Sequence, residues 1–190
     1  MKFRSAVLVL LSVCVSLPGS ASGASKLAGH CGFGYNKSVN EGAPDGAFGM
    51  LGGILLQAQP DFGVGLEVGY LGMGTYTTAL LGSSGSVTES ASITHIPITA
   101  GVEYSLQTDG KVHPLLVGGV GLYIAKIESD VTVFNDQASV TFRDSTTETD
   151  PGFNVGTGLK LGRPSQTVRF GGDARFHLVF SEGESTRMVN

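Results

Sequence analysis

Three ionisable side chains alternate in the stretch "GGDARFH": Asp173, Arg175 and His177. An acid near a histidine suggests proton transfer, with one of the chain's serines as a nucleophile. The spacing argues against it. On a strand, same-face Asp and His four residues apart lie about 13 Å from each other, beyond hydrogen-bond reach. No Gly-x-Ser-x-Gly elbow occurs. His30, His95, His113 and His177 fall in separate segments without metal-ligand spacing, so each is expected to be a hydrogen-bonding residue of a lumen or rim. No EF-hand-like spacing orders the acidic residues. Catalysis, a cofactor and a metal site are therefore not expected. What remains is a set of charges of both signs, Glu67, Glu103 and Asp173 against Lys160, Arg169 and Arg175. An isolated buried ion is very costly, so such a set has to be held together as pairs.

Strands are the elements that can hold them. Of 190 residues, 29 are Gly, 15% are charged and none is Trp. Each interior Gly costs a helix about 1 kcal/mol, so this composition reads as all-β. Period-two alternation marks seven segments. Residues 27–35 set Leu27, Phe33 and Tyr35 against His30, Gly32 and Gly34. Residues 47–58 set Phe48, Met50, Ile54 and Leu56 against Gly49, Gly53 and Gln57, with Leu51 and Leu55 blurring the second face. Residues 62–72 set Phe62, Val64, Leu66, Val68 and Tyr70 against Gly63, Gly65, Glu67 and Gly69. Residues 96–106 set Ile98, Ala100, Val102 and Tyr104 against Thr99, Gly101 and Glu103. Residues 114–127 are apolar on both faces. Residues 153–161 set Val155 and Leu159 against Asn154, Gly156, Gly158 and Lys160, and residues 168–180 set Phe170, Ala174, Phe176 and Phe180 against Arg169, Asp173, Arg175 and His177.

Connections alternate between long (37–46, 73–95, 128–152) and tight (59–61, 108–111, 162–166). One end of the sheet thus carries only hairpin turns and the other only extended loops, the layout of an outer-membrane barrel. Within the third long connection, residues 131–142 form two β-prone runs around Asn135 and Asp136, read as a hairpin extending the flanking strands above the membrane; a loop with transient pairing is the alternative. Acidic residues gather in the long connections and beyond the last segment (Glu41, Asp45, Glu89, Glu128, Asp130, Asp136, Asp144, Glu148, Asp150, Glu182, Glu184) and are expected to keep that end soluble.

The first residues are set apart. Lys2 and Arg4 precede the apolar run "AVLVLLSVCVSL", too short to span as a helix, then Pro18 and the small residues "GSASGAS". Residues 1–24 read as a secretory signal peptide cleaved after Ala24 or Ala21, leaving 25–190 as the barrel domain; a buried N-terminal helix is the alternative. Removal takes Cys14 and leaves Cys31 alone, so no disulfide framework is expected. It also makes the chain more acidic than its formal −4, which argues against nucleic acid.

Alternation alone does not say which face meets water. Aromatics near the ends of the apolar faces decide it: Phe62, Tyr70 and Tyr104, and Phe170 and Phe180 on the last segment. Pairs on one strand would span roughly 20–25 Å along the membrane normal, close to the apolar band between two aromatic girdles. The opposite faces combine Gly with the six charges, as a narrow barrel interior filled by side chains would. The expected arrangement has Phe170, Phe176 and Phe180 in lipid and Glu67, Glu103, Lys160, Arg169, Asp173 and Arg175 paired in the lumen. A soluble, apolar-cored barrel of lipocalin type is the competing arrangement.

"HPLLVGGVGLYIAK", "PGFNVGTGLKLG" and "VRFGGDARFHLVFSEG" resemble successive strands of the small outer-membrane β-barrel domain family, the OmpA/OmpX-like porin-family proteins of Gram-negative bacteria. The resemblance implies an eight-stranded up-and-down transmembrane barrel in the outer membrane. Seven segments are found here; the eighth is expected to be missing by C-terminal truncation, because an unclosed sheet leaves two edges unpaired in lipid. The expected function is an integral outer-membrane barrel with a filled polar lumen, whose extracellular loops contact a ligand or host surface or support the envelope. A narrow porin-like channel for small solutes and a secreted ligand-binding barrel are the alternatives. Outer-membrane lipid is the expected partner, and the chain is expected to be a monomer.

Overall fold

The computed structural model describes residues 2–16, 26–38, 46–59, 61–82, 85–106, 110–135, 138–162 and 168–181. It contains eight strands: β1 (Lys2–Ser16), β2 (Lys26–Ser38), β3 (Ala47–Gln57), β4 (Phe62–Gly82), β5 (Gly85–Ser105), β6 (Val112–Asn135), β7 (Ala138–Leu161) and β8 (Val168–Ser181). Each pairs antiparallel with its neighbours in sequence, and β8 returns to β1, closing the barrel. The period-two pattern explains why these segments take this form: with every second side chain apolar, one face of each strand can meet hydrocarbon while the other turns to the axis. On β8, Phe170 and Phe176 are 58% and 37% exposed, whereas Arg169, Asp173, Arg175 and His177 are buried.

Strands β2 to β8 contain the seven segments read from the sequence. β2 and β8 both run from the tight-turn end to the loop end, so one antiparallel strand closes the gap between them. The sequence reading leaves that place empty and assigns residues 1–24 to a leader. In the structure Lys2–Ser16 occupies it, with Lys2 opposite Ser181, Val15 opposite Val168 and Ala6 opposite Ser38. Its run of Val and Leu suits a strand, and its backbone satisfies two edges that would otherwise lie unpaired in lipid.

The other difference concerns length. Residues 73–95 are expected as a long loop, but β4 and β5 continue to within two residues of each other, Gly82 opposite Gly85. β6 and β7 likewise run on to Asn135 opposite Ala138, so the hairpin expected over 131–142 is part of two 24-residue strands. Because β5 also pairs with β6 along this length, residues 75–82, 85–92, 128–135 and 138–145 make one four-stranded ribbon standing above the barrel. A register shift between Gly72 and Thr75 marks its base on β4, where Gly74 (φ 89°) adopts a conformation other residues rarely take. Asp150, expected among the solvated loop acids, is instead buried at the mouth of the barrel opposite Tyr123. Glu41, Asp45, Asp136, Glu182, Glu184 and the cleavage positions lie outside the described residues.

Candidate functional site

The barrel axis holds the polar side chains whose chemistry the sequence raised. The inward positions of β4, β7 and β8 combine Gly with charged residues. A Cβ built on Gly156 or Gly158 would come within 2.8 Å of Arg175 or Asp173 atoms and closer still to backbone, so the small residues leave the space the long ones fill. Arg175 is the hub. Its guanidinium donates from Nη1 to Glu67 Oε2 (2.6 Å) and from Nη2 to Glu67 Oε1 (3.1 Å), and from Nε to Asp173 Oδ1 (2.9 Å). A two-pronged contact of this kind is stronger and more directional than a single ionic bond. His30 Nε2 lies 2.8 Å from Glu67 Oε1, the oxygen that also accepts from Arg175 Nη2. Toward the tight turns, Lys160 pairs with Glu103, and the His113 Nε2 group hydrogen-bonds the Gly162 carbonyl at 3.0 Å. Toward the loops, Tyr123 and His177 Nδ1 are 2.9 Å apart, with the two rings edge to face.

Five of the six lumen charges named from the sequence are thus drawn into two groups, Glu67–Arg175–Asp173 and Lys160–Glu103. Arg169 is buried but forms no ion pair with another described residue, and its Nε has no partner among them. Asp173 and His177 are engaged by Arg175 and Tyr123 respectively, and neither touches the other. Sequence reasoning missed Tyr123, which sits in a run apolar on both faces, and Asn36, whose Nδ2 donates to the Gly72 carbonyl. Leu51, set by the sequence on the face of Gly49 and Gly53, turns inward and packs with Leu71 and Met73. Between His30, Glu67, Glu103, Lys160, Asp173 and Arg175 a void of only about 30 Å³ remains, room for roughly one or two waters.

Of the aromatics named for the girdle, Phe62 and Tyr104 are cross-strand partners at the tight-turn rim. Phe170 stands outward on β8, Tyr70 outward near the loop end, and Phe180 packs on Phe153 with ring centroids 5.9 Å apart. Across the ribbon, paired residues share a face, and one face carries Leu80, Val87, Val133 and Val140 as a single transverse row. The ribbon's base is polar: Lys126 pairs with Glu128 at 2.6 Å, which raises the Lys126 pKa above its ordinary value, and Arg143 approaches Asp130 at 3.4 Å.

A family model described as the outer membrane protein beta-barrel domain matches residues 5–187. Among solved structures, the chain is similar to Ail, the attachment invasion locus protein of Yersinia pestis, at 10% identity over 93% of this chain and 96% of that one, with a TM-score of 0.30. A second structure of Ail, in complex with the heparin analogue sucrose octasulfate, is 10% identical over 94% and 99% of the two chains, with a TM-score of 0.24. The N-terminal β-barrel domain of Pseudomonas aeruginosa OprF is 11% identical over 91% and 96%, with a TM-score of 0.20. No curated protein matches the chain.

Proposed function

The chain belongs to the outer-membrane protein β-barrel domain family, and from that premise we propose that its barrel is a filled anchor and that the ribbon above it makes contact at the cell surface. One observation carries the reading: an apolar row stands where water, not lipid, surrounds the chain. Leu80 is 69% exposed, Val140 51% and Phe142 63%, and contiguous apolar surface in an aqueous region marks an interaction site more often than chance. Around it the ribbon and its base carry Glu89, Glu128, Asp130, Asp144 and Glu148 against Lys126 and Arg143. That balance favours an uncharged or basic partner surface over a polyanion. The ion pairs and the small void among the described lumen residues support an anchor over a conducting channel.

Replacing residues 76–91 and 129–144 by tight turns tests the reading. Such a variant is expected to keep the heat-modifiable gel migration of a folded barrel while adherence of cells displaying it to host-cell monolayers falls at least tenfold. Unchanged adherence would remove the ribbon from the account. Planar-bilayer recordings are expected to show no stepwise openings, and openings abolished by Gly156→Leu would favour the channel.

We also propose that residues 1–24 act as the export leader. The apolar, β-prone character that places Lys2–Ser16 between β2 and β8 is also what an export apparatus reads. After processing, the β2 and β8 edges form a seam that takes another antiparallel strand. Intact mass of protein extracted from the membrane is expected to correspond to a chain starting after Ala24 or Ala21. A mass that includes Met1 would instead make Lys2–Ser16 the barrel's permanent eighth strand.

A further inference from the structure

The outward wall is not evenly convex. Gly65, Gly101 and Gly119 stand in register on β4, β5 and β6, all on the inward face. A Cβ at these positions would meet backbone oxygen of a neighbouring strand at 2.4, 2.9 and 3.0 Å, and the inward side chains nearest behind them, Leu55 and Asn154, come from other positions. At this level the wall presents no side chain of its own to the lumen on three successive strands. On its outer side lies a depression of about 850 Å³, within the range of roughly 300–1,000 Å³ typical of small-molecule sites. Leu56, Leu66, Val102, Val120 and Phe153 line it, and the outward residues at its centre, Ala100 and Gly118, are small. Gly65, Gly101 and Gly118 line both this depression and the lumen void, so the wall here is a single backbone thick.

Position restricts what can fill it. Gly65 is three residues beyond the Phe62–Tyr104 pair at the tight-turn rim and five short of Tyr70 at the loop-end rim. The depression therefore lies inside the hydrocarbon layer, in the half nearer the periplasmic turns. It presents almost no polar group, so it recognises no headgroup. We propose that it seats the acyl chains of a phospholipid from the inner leaflet of the outer membrane. Flexible chains adapt to an irregular hollow, whereas a second barrel would need a complementary ridge over an interface of about 1,000 Å² or more.

The test fills the hollow from outside. Gly118 is the suitable position, since a Cβ there meets only the Asn154 carbonyl, at 3.6 Å; Ala100→Leu provides an independent filling. Ala174→Leu, outward on β8 and away from the depression, is the control. Protein extracted in mild detergent would be examined by native mass spectrometry with phosphatidylethanolamine or lipid A added, after heat-modifiable migration confirms folding. Phosphatidylethanolamine adducts are expected to fall at least threefold in Gly118→Leu and Ala100→Leu and to persist in the control. Equal retention in all variants would overturn the proposal. So would preferential retention of lipid A, or loss of a dimer in the two filled variants, which would place a second copy there.

Discussion

Arg175→Ala lowers the stability of the folded barrel by about 3–5 kcal/mol, the cost expected when a buried pair loses one partner and leaves the other charged. The magnitude follows from what the guanidinium holds. It is 6% exposed, and both Glu67 and Asp173 depend on it for their closest cationic contact. Truncation strands two carboxylates in the lumen with only His30 beside Glu67. Equilibrium urea unfolding in lipid vesicles checks this, with Arg143→Ala as the comparison. The Arg143 side chain is 81% exposed and lies 3.4 Å from Asp130, a surface contact worth about 0–1 kcal/mol. Equal midpoints for the two variants would mean that the lumen charges are solvated and not enclosed.

Ala174→Arg lowers stability by about 2–4 kcal/mol if the outer wall faces hydrocarbon near the bilayer midplane. Ala174 lies on β8 between Phe170 and Phe180, and its side chain is exposed. Because Ala contributes little packing, the change reports the charge and not a lost contact. On a wall facing water, the same exposed substitution is usually neutral to within about 0.5 kcal/mol. Ala174→Leu is expected to be neutral or slightly stabilising in lipid. The pair therefore separates a membrane barrel from a soluble one by the sign and size of two effects at one position.

The parts of this structure that could be read from sequence are those where a face repeats locally. Val64, Leu66 and Val68 against Gly63, Gly65 and Glu67 announce both a strand and its two sides, and β8 does so through its charges. The ribbon was only half legible. Residues 75–82 and 85–92 show no regular polar–apolar alternation, and the pairing of 85–92 also depends on β6 partners 36 to 50 residues away. The lumen was legible as charge but not as packing. Leu51, on the glycine face of its segment, blurs the alternation in the sequence and packs inside with Leu71 and Met73, because a barrel's interior at that level is apolar. Tyr123 was hidden among apolar neighbours on both sides, and only the register against His177 through β7 reveals its role. The stretch "AVLVLLSVCVSL" satisfies two readings at once, since short apolar runs suit an export leader and a strand between two unpaired edges alike.

The central claim is that hydrocarbon lies outside this barrel and the ions lie along its axis. Single spin labels at Val68, Val102, Val155 and Phe176, placed in a Cys31→Ser background and reconstituted in vesicles, test it through collision rates with oxygen, which concentrates in lipid, and with a water-soluble nickel chelate. All four positions point outward and are exposed, so high oxygen and low nickel accessibility is the expected result. Labels that collide mainly with nickel at these sites would contradict the account and leave a barrel whose outer wall is bathed in water.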